Sequence, residues 1–140
     1  MISLKQCIEK RFLIKTSPDK ELSEKELNES AYDLGKAEKA LSDEDYKWSI
    51  VKCYYSMFHA AKAVLYDQGY IEKKHIAVIA VLEHLNKNGK IESRHINDFK
   101  AAMSAREDAD YHYSYSRETA EFDLGICREF HEMARKFLKK

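Results

Sequence analysis

The chain has 140 residues, 44% of them hydrophobic and 34% charged, and Lys plus Arg and Asp plus Glu both total 24. That length suits one domain able to bury a core unaided, and a formal charge of zero excludes nucleic-acid binding through the field of the whole molecule, so any RNA contact must use a local patch. One proline and four glycines argue against a many-stranded β protein and for long helices joined by few loops.

Ser3-Leu-Lys-Gln6 reads as a capping box opening a first helix, which carries Leu4, Ile8 and Phe12 inward and stops before Ser17-Pro18. Ser17 then caps a second helix with Pro18 in its first turn, or the start falls at Ser23-Glu-Lys-Glu26. Its inward residues are Leu22, Leu27, Ala31, Leu34, Ala37 and Leu41. Ser42-Asp-Glu-Asp45 puts acids at the start of a third helix, Asp45 to Gln68, where they suit the helix dipole. That helix is apolar nearly all round, Trp48 included, and leaves only a narrow polar stripe of Lys52, Ser56, His59 and Lys62. Such a helix belongs at the centre of a fold, and Gly69 ends it.

His75 to Asn88 gives a fourth helix, with Ile76, Ile79, Leu82 and Leu85 inward and Gly89 as its stop, and Glu92 to Tyr111 gives a fifth. After a break at Ser114-Tyr-Ser116 a sixth helix spaces Phe122, Ile126, Phe130, Met133 and Phe137 along one seam. The expected fold class is all-α: an up-and-down bundle of five or six helices forming one domain over residues 1–140. Whether the first helix packs on its own bundle or swaps onto a second copy is open.

Cys7, Cys53 and Cys127 are far apart and form no CxxC pair, and Cys53 and Cys127 read as small buried hydrophobes. His75, His84, His95 and His131 are scattered and no HExxH occurs, so no metal is expected. No glycine-rich phosphate loop occurs either, and no cofactor is expected. The start of the chain lacks an apolar signal core and no apolar run reaches membrane-spanning length, so a cytoplasmic location with no membrane contact is expected.

The fifth helix carries the most informative irregularity. Ile96, Phe99, Met103, Arg106, Asp110 and Tyr113 follow one another at helical spacing, so the stripe begins apolar and turns charged halfway. An inward guanidinium or carboxylate needs a partner, and Arg106 and Asp110, four residues apart, suit one another. The pair either closes the end of a core or a dimer seam, or it presents Arg106 to a phosphate, which a planar guanidinium grips through two parallel hydrogen bonds. On a straight helix His112 lies about 120° around the axis from Arg106, stacked one turn beyond Asp108. If the helix frays near Tyr111, the imidazole swings back toward Arg106.

The run Cys53-Tyr-Tyr-Ser-Met-Phe-His-Ala-Ala-Lys-Ala-Val-Leu65, then Lys74-His75, then Arg106-Glu-Asp-Ala-Asp-Tyr111, resembles the HEPN superfamily, and most closely its small stand-alone prokaryotic members. The resemblance covers residues 30 to 138 and implies a homodimeric helical bundle. Many HEPN proteins are metal-independent ribonucleases marked by an arginine and, four to six residues on, a histidine; Arg106 and His112, five residues intervening, match that spacing. The resemblance thus implies Arg106, His112 and Asp110 as catalytic residues meeting one scissile phosphate of RNA at the dimer interface. It also implies a toxin encoded beside a minimal nucleotidyltransferase antitoxin that modifies a tyrosine, for which Tyr113 and Tyr111 are the candidates. Active members often carry Asn, Asp or His directly after the arginine, where this chain has Glu107.

Two function classes follow. In the first, RNA is cut through its own 2′-hydroxyl, with His112 as general base or acid, Arg106 stabilising the pentavalent phosphate and Asp110 holding Arg106. In the second, a non-catalytic module binds a nucleotide or the nucleotidyltransferase partner, using Lys52, His59 and Lys62 of the polar stripe with Lys73, Lys74 and His75. The bland reading of those cations is ordinary solvation of a helix edge and a loop.

Overall fold

The computed structural model describes residues 2–139 as six helices and one short two-stranded ribbon, in the order α1 (Leu4–Glu9), β1 (Leu13–Lys15), α2 (Lys20–Ser42), α3 (Tyr46–Asp67), β2 (Tyr70–Glu72), α4 (His75–Lys87), α5 (Ser93–Tyr111) and α6 (Arg117–Leu138). The all-α bundle expected from the sequence is the fold observed.

The first helix is much shorter than its apolar spacing suggests. Ser3 does form the capping box with Gln6, but α1 ends at Glu9. Arg11 takes a left-handed conformation with φ 59°, and the Phe12 and Arg11 N–H groups close onto Cys7 O and Ile8 O. That is a helix-ending motif usually supplied by glycine, here without one. The chain then forms β1, which pairs antiparallel with β2 in the register Leu13↔Glu72, Ile14↔Ile71 and Lys15↔Tyr70. The ribbon pins the N-terminal segment to the α3–α4 connection, and α1 packs on α4 of its own chain with Cys7 and Leu13 buried.

Neither serine starts α2. Asp19 is the cap, accepting from the Leu22 N–H at 3.0 Å, with Pro18 outside the helix. Its buried side is polar as much as apolar: Ser23, Ser30, Asp33, Ala37 and Ala40 face in, while Ala31 is exposed. The reason lies across the hairpin, where α3 offers hydrogen-bonding groups. Ser56 Oγ donates to Ser30 O at 2.8 Å, and Ser49 Oγ donates to Ala37 O at 2.9 Å. Ser56, placed on a solvated stripe by its spacing, is therefore fully buried.

As expected, α3 is the central helix, capped by Asp45 and stopped at Gly69, and it packs against α2, α4, α5 and α6. Gly69 has φ +82°, and a Cβ there would lie 2.4 Å from Thr16 O, so only glycine lets the ribbon approach. Cys53 and Cys127 are buried, and the Cys127 thiol donates to Cys53 O at 3.6 Å, tying α6 to α3. Besides Ala31, several apolar residues expected inward are exposed instead, Ile8 of α1 among them. Trp48 sits in the first turn of α3 with the Lys52 ammonium 4.9 Å over its ring, Ile76 lines a groove beside α5, and Phe122 lies on the flank of α6 turned toward the end of α5. Among the described residues no helix is long and apolar enough to cross a membrane.

Candidate active site

The polar end of α5 divides between two faces. On the first, the Arg106 guanidinium is mostly buried between α5 and α3. Nε lies 3.0 Å from Asp110 Oδ2, Nη2 donates to Tyr55 Oη at 3.1 Å, and the guanidinium carbon is 5.5 to 5.8 Å from the ring centres of Tyr54, Tyr55 and Tyr111. The Nε–H is not aimed at Asp110, so that contact is an ion pair without a hydrogen bond and the buried Nε has no acceptor. Burial works against the charge, but Tyr55, Tyr111 and Asp110 outweigh it and hold the guanidinium pKa above its ordinary value. The same burial pushes the Tyr54 phenol up to about 12 despite the opposing Arg106. Arg106 is thus a fixed cation in an aromatic cage with its buried Nε–H uncommitted.

On the second face, His112 follows the last helical residue. The helix does end at Tyr111, yet the imidazole does not turn toward Arg106. His112 is the C-cap, its N–H donates to Asp108 O, and its Nδ1 lies 3.1 Å from Asp108 Oδ1, with the ring largely exposed. An ionised carboxylate only accepts, so Asp108 places the hydrogen on Nδ1 and leaves Nε2 as a free acceptor facing solvent. Within one protomer, Arg106 and His112 therefore belong to different clusters.

Tyr113 departs from the stripe its spacing suggests. It takes φ 54° beyond the helix end, and its ring lies 5.8 Å from the Lys47 ammonium of α3. The tyrosine beside Arg106 is Tyr111, and both tyrosines are well exposed, Tyr113 by 77%.

The stripe on α3 is occupied differently from a phosphate site. Lys62 Nζ is 3.3 Å from Glu26, His59 Nδ1 is 2.6 Å from Glu26 and its Nε2 3.7 Å from Asp33, and Lys52 Nζ is 3.6 Å from Asp33. Burial raises the Glu26 pKa, but hydrogen bonds from His59 and the charge of Lys62 more than reverse this and hold the carboxyl below its ordinary value. Each cation is already matched to a carboxylate of α2. Lys74 lies 4.9 Å over the Phe12 ring, and His75 Nδ1 is 3.3 Å from Tyr54 Oη. Among the described residues no group of His, Cys, Asp and Glu has a metal-binding arrangement.

Sequence reasoning missed Tyr54 and Tyr55 as part of the arginine site. A tyrosine inside an apolar helix does carry a signal, since its buried hydroxyl needs a polar partner.

A family model for the HEPN domain matches residues 23–137, from the first turns of α2 almost to the end of α6. The chain belongs to the HEPN family. The match contains the α2–α3 hairpin, the caged Arg106 and the Asp108–His112 pair, while α1 and β1 lie outside it. No curated protein matches the chain. HEPN membership agrees with the resemblance drawn from Cys53–Leu65 and Arg106–Tyr111, and both motifs fall on helices that meet at Tyr55 and Arg106.

Proposed function

We propose that this HEPN protein is a metal-independent endoribonuclease acting as a homodimer. The observation that carries the reading is the Asp108–His112 pair: a carboxylate fixing one imidazole nitrogen at 3.1 Å while the ring stands exposed at a helix end. The same helix carries a permanently charged arginine on another face. His112 Nε2 takes the proton of the substrate 2′-hydroxyl, and the 2′-oxygen attacks phosphorus. The P–O5′ bond breaks, and the imidazolium of the second copy protonates the leaving oxygen. The products are a 2′,3′-cyclic phosphate and a 5′-hydroxyl. Arg106 carries the extra negative charge of the pentavalent phosphate, and Asp110 and Tyr55 orient it.

Because Arg106 and His112 face apart in one protomer, the reading needs two copies, with the arginine of one and the histidine of the other reaching a shared phosphate. An apolar groove of about 310 Å³ lined by Ile76, Ile79 and Met103 supports this, since Met103 stands one turn from Arg106 and offers apolar surface for a second copy to cover. The alternative, a nucleotide-binding module built on Lys52, His59 and Lys62, lacks comparable support because Glu26 and Asp33 neutralise those side chains.

The test is cleavage of single-stranded RNA in EDTA, with product ends identified by mass spectrometry. Cyclic phosphates and a rate unchanged by the chelator are expected. Arg106→Ala and His112→Ala each lower the rate by about 10²–10⁴-fold; wild-type rates in either variant sink the assignment. We further infer that the protein is a toxin restrained by a nucleotidyltransferase partner acting on Tyr113. Support comes from the exposure of that side chain in a segment directly following His112. Incubation with a minimal nucleotidyltransferase and ATP should add one or more nucleotidyl groups to Tyr113 and suppress cleavage, and Tyr113→Phe should escape both.

A further inference from the structure

Beside the Asp108–His112 pair lies a cleft of about 400 Å³ between the second half of α5 and the first turns of α6. Its walls include Ser104, Asp108, Tyr115, Thr119, Phe122 and Asp123, and its volume falls in the range of small-molecule sites. Three features of these walls have no structural explanation. Phe122 is 60% exposed although α6 has a core to offer it, and Tyr115 is 48% exposed. Asp123 is only 2% exposed, and its Oδ2 has no hydrogen-bond partner. Burial pushes that carboxyl up to about 7, with no cation offsetting it. A buried carboxyl without a donor is costly unless something supplies one.

The walls also define the occupant by exclusion. No Lys or Arg lines the cleft while two aspartates do, so a phosphate or other anion is disfavoured. What fits is a flat, uncharged aromatic ring bearing N–H donors, because exposed aromatic side chains stack on it and hydroxyls and a carboxyl satisfy its edge. Asp108 both lines the cleft and holds His112, which sets such a ring beside the proposed scissile phosphate.

We propose that this cleft receives one unpaired nucleobase of the substrate RNA, guanine by preference, stacked on Phe122 and read by Asp123. The inference rests on the ribonuclease reading and adds a base preference to it. Guanine presents two parallel N–H donors to an ionised carboxylate, and adenine or cytosine presents a donor and an acceptor to a protonated one. Uracil has one N3–H between two carbonyl oxygens, so a protonated carboxyl pairs with it as with adenine or cytosine, but an ionised one gains a single hydrogen bond where guanine gives two. Ionised Asp123 thus selects guanine over uracil.

The experiment uses the intact protein and short 2′-O-methyl oligouridines, which lack the attacking hydroxyl, carrying G, A, C or U at the central position. Fluorescence anisotropy across the four oligonucleotides is expected to show tighter binding for guanine than for uracil. Phe122→Ala should weaken all of them about tenfold, the effect of losing one stacking partner, and Asp123→Asn should shrink the advantage of guanine over uracil. Phe122 is exposed, so its variant folds whatever becomes of Asp123→Asn. Equal affinity for all four sequences, no binding, or a guanine advantage that survives in Asp123→Asn overturns the proposal. So does a shift from dimer to monomer on Phe122→Ala in light scattering, which would make the surface an interface between copies. The two readings fail separately: ranked binding without cleavage of unmodified RNA removes the ribonuclease, and cleavage without base dependence removes the cleft.

Discussion

Arg106 and His112 make different demands on their surroundings, and the residues beside them meet those demands by opposite means. Arg106 is held by burial, one carboxylate and three aromatic rings, so its charge is permanent and its position fixed. His112 is exposed and held by a single contact to Asp108, which leaves it free to exchange a proton with substrate. Asp108→Asn replaces the charge-assisted bond with a weaker one worth about 1.5 kcal/mol less, so the cleavage rate should fall about tenfold without loss of fold. Circular dichroism alongside the rate separates the two effects. Asp123 sets a pH dependence of its own. Its pKa is raised from 3.8 to about 7, so between those values the unfolded chain releases the proton while the folded chain keeps it. Stability therefore falls as pH rises from about 4 to about 7, by at most about 4 kcal/mol. Glu26, whose pKa is lowered, contributes with the opposite sign: its stabilisation is present at neutral pH and lost as pH falls below the ordinary glutamate range. Urea unfolding of wild type and Asp123→Asn isolates the first term. The variant should gain on wild type from pH 5 to pH 8, and a constant difference would falsify the shift.

At the scale of elements, the helix starts were more legible than the stops. Ser3, Asp45 and Ser116 each cap a helix as their residue types suggest. The stops at Gly69 and Gly89 are equally plain, both with positive φ. Three other helices end through Arg11, Glu44 and Tyr113 in the left-handed region, where nothing in the residue type announces it. After α2, Asp45 N–H bonds Ala40 O and Glu44 N–H bonds Leu41 O, the arrangement found after α1. Because a side chain in this conformation costs about 1 kcal/mol, Arg11→Gly and Glu44→Gly should each stabilise the protein by up to that amount in urea titrations. Gly69→Ala should do the reverse, costing about 2 kcal/mol or more, since it combines positive φ with a Cβ 2.4 Å from Thr16 O. The same logic explains β1. Leu13-Ile-Lys15 continues the apolar run of α1, so periodicity alone reads it as more helix, whereas its pairing with Tyr70–Glu72 exists only once α3 has turned at Gly69.

At the scale of the whole molecule, the proposed activity depends on a second copy, and the exposed groove at Ile76, Ile79 and Met103 is the surface that would meet it. Met103→Glu places a charge there and should convert a dimer to a monomer in light scattering, with cleavage lost and the monomer still helical. Composition and apolar spacing by themselves determined the all-α class, the number of long helices and the central place of α3, because these follow from which faces must leave water. Two residues of the arginine site, Arg106 and Asp110, were also legible, since they interrupt an apolar register at a spacing that brings them together. Only the tertiary structure decided what each polar group was for. It paired Lys52, His59 and Lys62 with carboxylates of α2, brought Tyr54 and Tyr55 around Arg106, and left the Asp123 carboxyl without a partner beside an open cleft. A sequence records which groups need partners; which partner arrives depends on how helices distant in the chain are set side by side.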